Sequence, residues 1–185
     1  MCTFKKVCVT NRHLTDRPLY EQLKIVFTIS KPNFLILREK DLSEAEYREL
    51  AYKVKLLCDM HSVRLIVNKY YGVARELGIP VQLSSPYYES NVGELYGLSV
   101  WVSVHSINEA IRINNSDVDA IIAGHIYDTE CKKGLPGRGI DFLTSIVEQV
   151  DVPVYAIGGI DEFNIEEVAS AGASGACQMS FYMKL

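Results

Sequence analysis

His125 stands where a buried-looking apolar run, Ala120-Ile121-Ile122-Ala123, breaks at Gly124. Asp128, Thr129, Cys131, Lys132 and Lys133 follow it within nine positions. An imidazole titrates near pH 6.5, at about the point where it can both accept and donate a proton. Hydroxyl and ammonium groups behind it would suit an anionic substrate. Gly134, Pro136, Gly137 and Gly139 give the segment the turns to fold back on itself. A short polar loop behind a rigid strand is where catalytic groups concentrate, although a charged surface loop with an incidental His has the same composition. No Ser-His-Asp or HExxH pattern is visible, so proton transfer within a substrate fits these residues better than hydrolysis. Cys131 is a lone loop thiol, and Asp128 and Glu130 are carboxylates without a fixed partner in sequence.

These groups need a scaffold, and the rest of the chain supplies one. The alternating segment Lys6–Thr10 and short apolar runs at Phe34–Leu37, Leu65–Val67, Val81–Leu83, Leu98–Val104, Ala120–Ala123, Val152–Ile157 and Gly175–Met179 read as strands, that at Ala120–Ala123 covered on both faces. Between them lie helical patterns. Pro18 opens one in its first turn, while Ser43 with Glu46 and Ser106 with Glu109 have capping-box spacing. Asp161 is placed to cap another, and Gly172 to stop it. The segment 84–97 is polar and Tyr-rich and yields no assignment. Strand and helix alternating up to an eighth strand predict an α/β fold, a (β/α)8 TIM barrel in one domain over residues 1–185. Little chain follows the last strand, so most of the eighth helix is expected to be missing, leaving an uncovered patch beside the first strand that a second copy could mask.

In such a barrel the site lies at the C-terminal ends of the strands. The predicted elements place Arg38 and Lys40 after strand two, Asn68 after strand three, Ser103 and His105 at strand five, and His125 after strand six. Gly158-Gly159 and Ser180 end strands seven and eight, where this fold often binds phosphate; a plain tight turn is the alternative for the glycine pair, and its coincidence with Ser180 after the next strand favours phosphate. Arg38 offers a planar fork for a carboxylate or phosphate, against a surface ion pair with Glu39 or Asp41. His105 could instead orient the helix that Ser106 starts.

Composition narrows the function classes. The net charge of −4 argues against nucleic-acid binding. The cysteines are odd in number, five in all, without CxxC spacing, which disfavours a disulfide framework or zinc site and favours a reducing, cytoplasmic setting. No apolar run approaches a membrane span, and the first residues lack a signal-peptide core.

The blocks LREKD (Leu37–Asp41), IVN (Ile66–Asn68), VSVHS (Val102–Ser106), GHIYDTECKKGLPGRG (Gly124–Gly139), AIGGI (Ala156–Ile160) and GACQMS (Gly175–Ser180) together resemble the thiamin phosphate synthase/TenI superfamily over essentially the whole chain. The synthases of that superfamily are (β/α)8 barrels that join a hydroxymethylpyrimidine pyrophosphate to a thiazole phosphate using magnesium. Their sixth-strand motif reads roughly GPIFPTxTK, and here His125, Asp128 and Cys131 replace its two prolines and second Thr. Lys69 stands where an Asp usually helps bind magnesium, and Val81–Tyr87 lacks the other metal Asp. The resemblance to the TenI branch therefore implies thiazole tautomerase activity with no cofactor. On that reading His125 shuttles the proton and Arg38 holds the carboxylate of a thiazole phosphate substrate. Gly158, Gly159 and Ser180 hold its phosphate, Ser103, Thr129 and Lys132 line the site, and Lys40 and Asn68 match family positions. The same resemblance leaves a synthase, or an idle ligand-binding or regulatory barrel, as alternatives, and suggests a homodimer.

Overall fold

A computed structural model describes residues 4–185, and of Cys131 the backbone alone. Cys2 and the thiol of Cys131 lie outside the described residues. The strands are β1 (Lys5–Val9), β2 (Phe34–Leu37), β3 (Arg64–Asn68), β4 (Val81–Ser84), β5 (Val100–Val104), β6 (Ala120–Gly124), β7 (Val154–Ile157) and β8 (Gly175–Gln178). Each pairs in parallel with the next, and β8 closes on β1 with Cys177 opposite Val7, so the sheet is a closed TIM barrel. The helices are α1 (Leu19–Ile29), α2 (Glu44–His61), α3 (Tyr71–Leu77), α4 (Ser85–Glu89), α5 (Ile107–Asn114), α6 (Ile140–Val147), α7 (Ile165–Ser170) and α8 (Ser180–Met183).

Alternation along the strands divides the apolar residues into two cores. Val7, Val9, Ile36, Ile66, Ile122 and Cys177 point inward and fill the barrel. Their strand neighbours, such as Cys8, Leu35, Leu37, Val67 and Ile121, face the helices. Near the N-terminal ends of the strands, Trp101 stacks on Tyr155 at 4.4 Å and leans on Phe34 at 5.0 Å between ring centroids. This aromatic plate fills the barrel near the N-terminal ends of the strands, and a cavity lies toward the other end.

One local signal that depends only on neighbouring residues is met in full. Ser43 and Glu46 form a full capping box, with the Glu46 carboxylate accepting from the Ser43 N–H at 2.9 Å and the Ser43 hydroxyl accepting from the Glu46 N–H at 3.4 Å. Tyr47, Ala51, Val54, Leu57 and Cys58 then turn one face of α2 into the core. Other expectations are corrected. Residues in 84–97 form α4 and a 3-10 turn, Val92–Leu95. Ser106 caps Glu109 at 3.1 Å, but the Glu109 carboxylate bonds the His105 N–H and the Ser85 hydroxyl, so the reciprocal half of that box is absent. Asp161 accepts from Phe163 and Asn164 N–H groups in a turn before α7, whose N-cap is Asn164.

The patch expected beside β1 is covered. α8 is four residues long, yet Tyr182 and Met183 are buried. Gln22 of α1 donates to the Tyr182 carbonyl at 2.8 Å, and Arg17 to the Leu185 carbonyl at 2.9 Å. Among the described residues, no helix is long and apolar enough to cross a membrane.

Candidate active site at the mouth of the barrel

The strand ends surround a cavity of about 620 Å³. At β2, Thr10 sets the geometry: its hydroxyl accepts from the Arg38 N–H at 2.9 Å and donates to the buried Glu39 carboxylate at 2.7 Å. With Glu39 turned into the wall, its neighbours Arg38 and Lys40 line the cavity. Glu39 and Asp41, the partners that a plain surface ion pair would give Arg38, both pair with Arg12, at 3.1 Å and 2.5 Å. Arg12 also holds the Asp41 carboxyl below its ordinary range.

A polar chain runs across the next strands. Asn68 Nδ2 donates to Gln82 Oε1 at 2.6 Å, and Gln82 Nε2 donates to Ser103 Oγ at 2.8 Å and to the Leu83 carbonyl at 2.8 Å. Gln82 is buried, so its satisfied amide fixes both neighbours. Asn68 keeps its carbonyl oxygen as an acceptor, and Ser103 keeps its hydroxyl proton to donate. Sequence reasoning misses Gln82 as a site residue, although a polar residue inside Val81–Leu83 is its visible signal. Lys69 follows at φ 73°, pinned by its N–H to the Gln82 carbonyl at 3.0 Å and by the Tyr71 N–H to its own carbonyl at 2.9 Å. It is exposed, lies 5.1 Å from the Tyr70 ring centroid, and lines the cavity.

Two histidines face the same space with opposite tautomers. His105 Nδ1 lies 2.8 Å from the Gly124 carbonyl. A carbonyl only accepts, so Nδ1 carries the proton and Nε2 of the neutral ring keeps its lone pair. His125 is buried, and its Nε2 lies 3.2 Å from the Leu135 carbonyl, which leaves Nδ1 as the acceptor. The β6–α6 loop folds back as the glycines and proline suggest: Arg138 donates its N–H to the His125 carbonyl at 3.0 Å, and Asp128 accepts from the Gly137 N–H at 2.7 Å. Thr129 and Lys132 of this loop line the cavity. Beneath His105, burial raises the Glu109 carboxyl, but bonds from Ser85 and the His105 N–H outweigh it and hold the group below its ordinary value.

Gly158 and Gly159, after β7, have φ of 105° and 65°. A Cβ on Gly158 would overlap His125 Cβ, and one on Gly159 would come within 2.5 Å of the Asp128 carbonyl oxygen. Close approach of the β6 loop, which sequence does not reveal, therefore demands glycine at both. Ser180 borders the cavity above β8, so every residue placed at the strand ends from sequence lines this one space. None of the lining residues is Asp or Glu.

The sequence profile described as thiamine monophosphate synthase matches residues 6–181. A thiamine-phosphate synthase of Clostridium acetobutylicum is 29% identical, covering 96% of this chain and 86% of its own. One from Clostridium botulinum is 31% identical, covering 78% and 73%. The solved thiamine phosphate pyrophosphorylase of Pyrococcus furiosus superimposes with a TM-score of 0.81 at 25% identity, covering 97% and 87%. These relatives correct the expected activity: two bear the name of a synthase, a transferase, the third that of a pyrophosphorylase, and none supports a thiazole tautomerase or an isomerase. With nearly its whole length matched, the chain belongs to the thiamine monophosphate synthase family.

Proposed function

We propose that this chain is a thiamine-phosphate synthase, joining a pyrimidine diphosphate to a thiazole phosphate with release of diphosphate. The observation that carries this reading is the charge of the mouth: Arg38, Lys40, Lys69 and Lys132 line one cavity without a carboxylate among them. In the coupling, a carbon–nitrogen bond forms between the two heterocycles as the carbon–oxygen bond to diphosphate breaks. Negative charge grows on the departing oxygens, and fixed cations facing it stabilise the transition state more than the ground state.

The remaining residues divide between the two substrates. Arg38, Lys40 and Lys69 stand on neighbouring strand ends and take the diphosphate. Gly158, Gly159 and Ser180, at the β7 and β8 ends, take the phosphate of the thiazole. Asn68 and Ser103, held in place by Gln82, offer an acceptor and a donor to a heterocycle between the two anionic groups. Thr129 and Lys132 close the side nearest β6. His125 supports the wall through its bond to Leu135 and has no proton to shuttle in this coupling.

The family resemblance implies magnesium, and the donors at this mouth do not fit it. Magnesium prefers hard, carboxylate-rich coordination. Glu39 is engaged by Thr10 and Arg12, Asp41 by Arg12, Glu109 by Ser85 and His105, and Asp128 by Gly137. Among the described residues no cluster of His, Cys, Asp and Glu could hold a metal ion.

The direct test mixes the two substrates with the protein and follows thiamine phosphate by fluorescence after oxidation to thiochrome, in metal-stripped buffer and again with magnesium. Product in either buffer is the expected result. Its absence from both, with both substrates intact, would sink the synthase reading.

A further inference from the structure

The turn after β3 presents an unusual residue for its backbone. At φ 73° Lys69 occupies the left-handed region. Gly or Asn reaches that region at low cost, whereas a Lys there is disfavoured by about 1–2 kcal/mol. Three backbone bonds hold the turn: Lys69 N–H to the Gln82 carbonyl, Tyr70 N–H to the Asn68 carbonyl, and Tyr71 N–H to the Lys69 carbonyl, all at 2.9–3.0 Å. A side chain kept at such a position, exposed and lining a cavity, points to a use for the side chain itself. The neighbouring charges agree with this. The lining adds Arg38, Lys40 and Lys132 to Lys69, and none of the lining residues is an Asp or Glu that could share a divalent cation.

We propose that the diphosphate enters this mouth as the bare anion, with the Lys69 ammonium taking the place of a divalent cation, so that free diphosphate rather than its magnesium complex is the ligand. This rests on the synthase reading for the identity of the anion, while the charge pattern stands by itself. A magnesium complex would bring its own positive charge and water shell against Lys69, and the repulsion would be felt strongly where the cavity excludes solvent. A diphosphate without metal carries several negative charges at neutral pH and is matched by a cluster of ammonium and guanidinium groups.

The test is calorimetric titration of inorganic diphosphate into the full chain in metal-stripped buffer, then with magnesium in excess. A soluble chelator is avoided because it is itself a polyanion. Binding is expected without metal and should weaken at least about tenfold when magnesium sequesters the ligand. Lys69→Asn keeps a residue that tolerates positive φ and should weaken metal-free binding by about tenfold or more, with circular dichroism and melting temperature near wild type. Lys55→Asn, on the far surface where Lys55 pairs with Asp59 at 2.7 Å, should bind as wild type does. Binding only in magnesium, no binding in either buffer, or unchanged affinity in Lys69→Asn would each overturn the proposal. Coupling that requires magnesium, with diphosphate bound only as its complex, would keep the synthase and remove this inference. Metal-free diphosphate binding without coupling would do the reverse.

Discussion

Gly158 shows how a single atom organises the mouth. Its φ of 105°, and the overlap that an added methyl would have with His125 Cβ, leave no room for any side chain. Gly158→Ala should therefore lose about 2–4 kcal/mol, from left-handed strain added to a backbone clash. Urea unfolding would show this as a lower midpoint with an unchanged slope. Gly134→Ala is the matched control, with φ 85° and nothing within 4 Å of the added carbon. It should lose only about 1 kcal/mol. Equal losses at the two positions would mean that the contact with His125 is not what restricts Gly158. At this scale the sequence points to the glycine pair but offers only an anion or a plain turn to explain it. The steric reason arises from β6 and β7 lying side by side, which no local pattern encodes.

At the scale of elements, Glu109 connects three of them. It lies on α5, accepts from Ser85 at the start of α4, and accepts from the N–H of His105 at the end of β5. Its pKa is lower folded than unfolded, so the stability it contributes is present above its ordinary value of 4.5 and lost as pH falls through the folded value. Glu109→Gln should flatten the acid side of the stability–pH curve and lower stability at neutral pH by about 1 kcal/mol. Chemical denaturation at pH 7 and at pH 4 would compare the two proteins. A parallel pair of curves would place the carboxylate's worth elsewhere. The same residue marks where sequence reading succeeds and where it stops. Ser43 and Glu46 compete with nothing outside their own turn, so their box is legible. Ser106 and Glu109 have identical spacing, but Ser85 and the His105 N–H, from other elements, win the carboxylate. The strand ends are legible because strand periodicity alone places Arg38, Asn68, Ser103 and His125 on one rim. Gln82 is not, because its role exists only once Asn68 and Ser103 flank it on neighbouring strands.

For the whole molecule, barrel closure follows from the repeated strand–helix alternation, and the aromatic plate of Phe34, Trp101 and Tyr155 fills the interior at the end opposite the cavity. The activity is less legible, since in sequence Lys69 and His125 depart from the residues usual in the synthase motif, and only the relatives correct that reading. The plate and the carboxylate-free rim also govern how a ligand arrives. A body of net charge −4 repels an anion at a distance, while the lysines of the mouth attract it within a Debye length, about 8 Å at physiological salt. The two fields respond oppositely to added salt. If encounter is governed by the rim, the association rate of diphosphate falls as ionic strength rises; if the acidic body governs it, the rate climbs. Stopped-flow titration across a salt series should show the falling slope, the signature of a funnel whose sign is opposite to that of the protein that carries it.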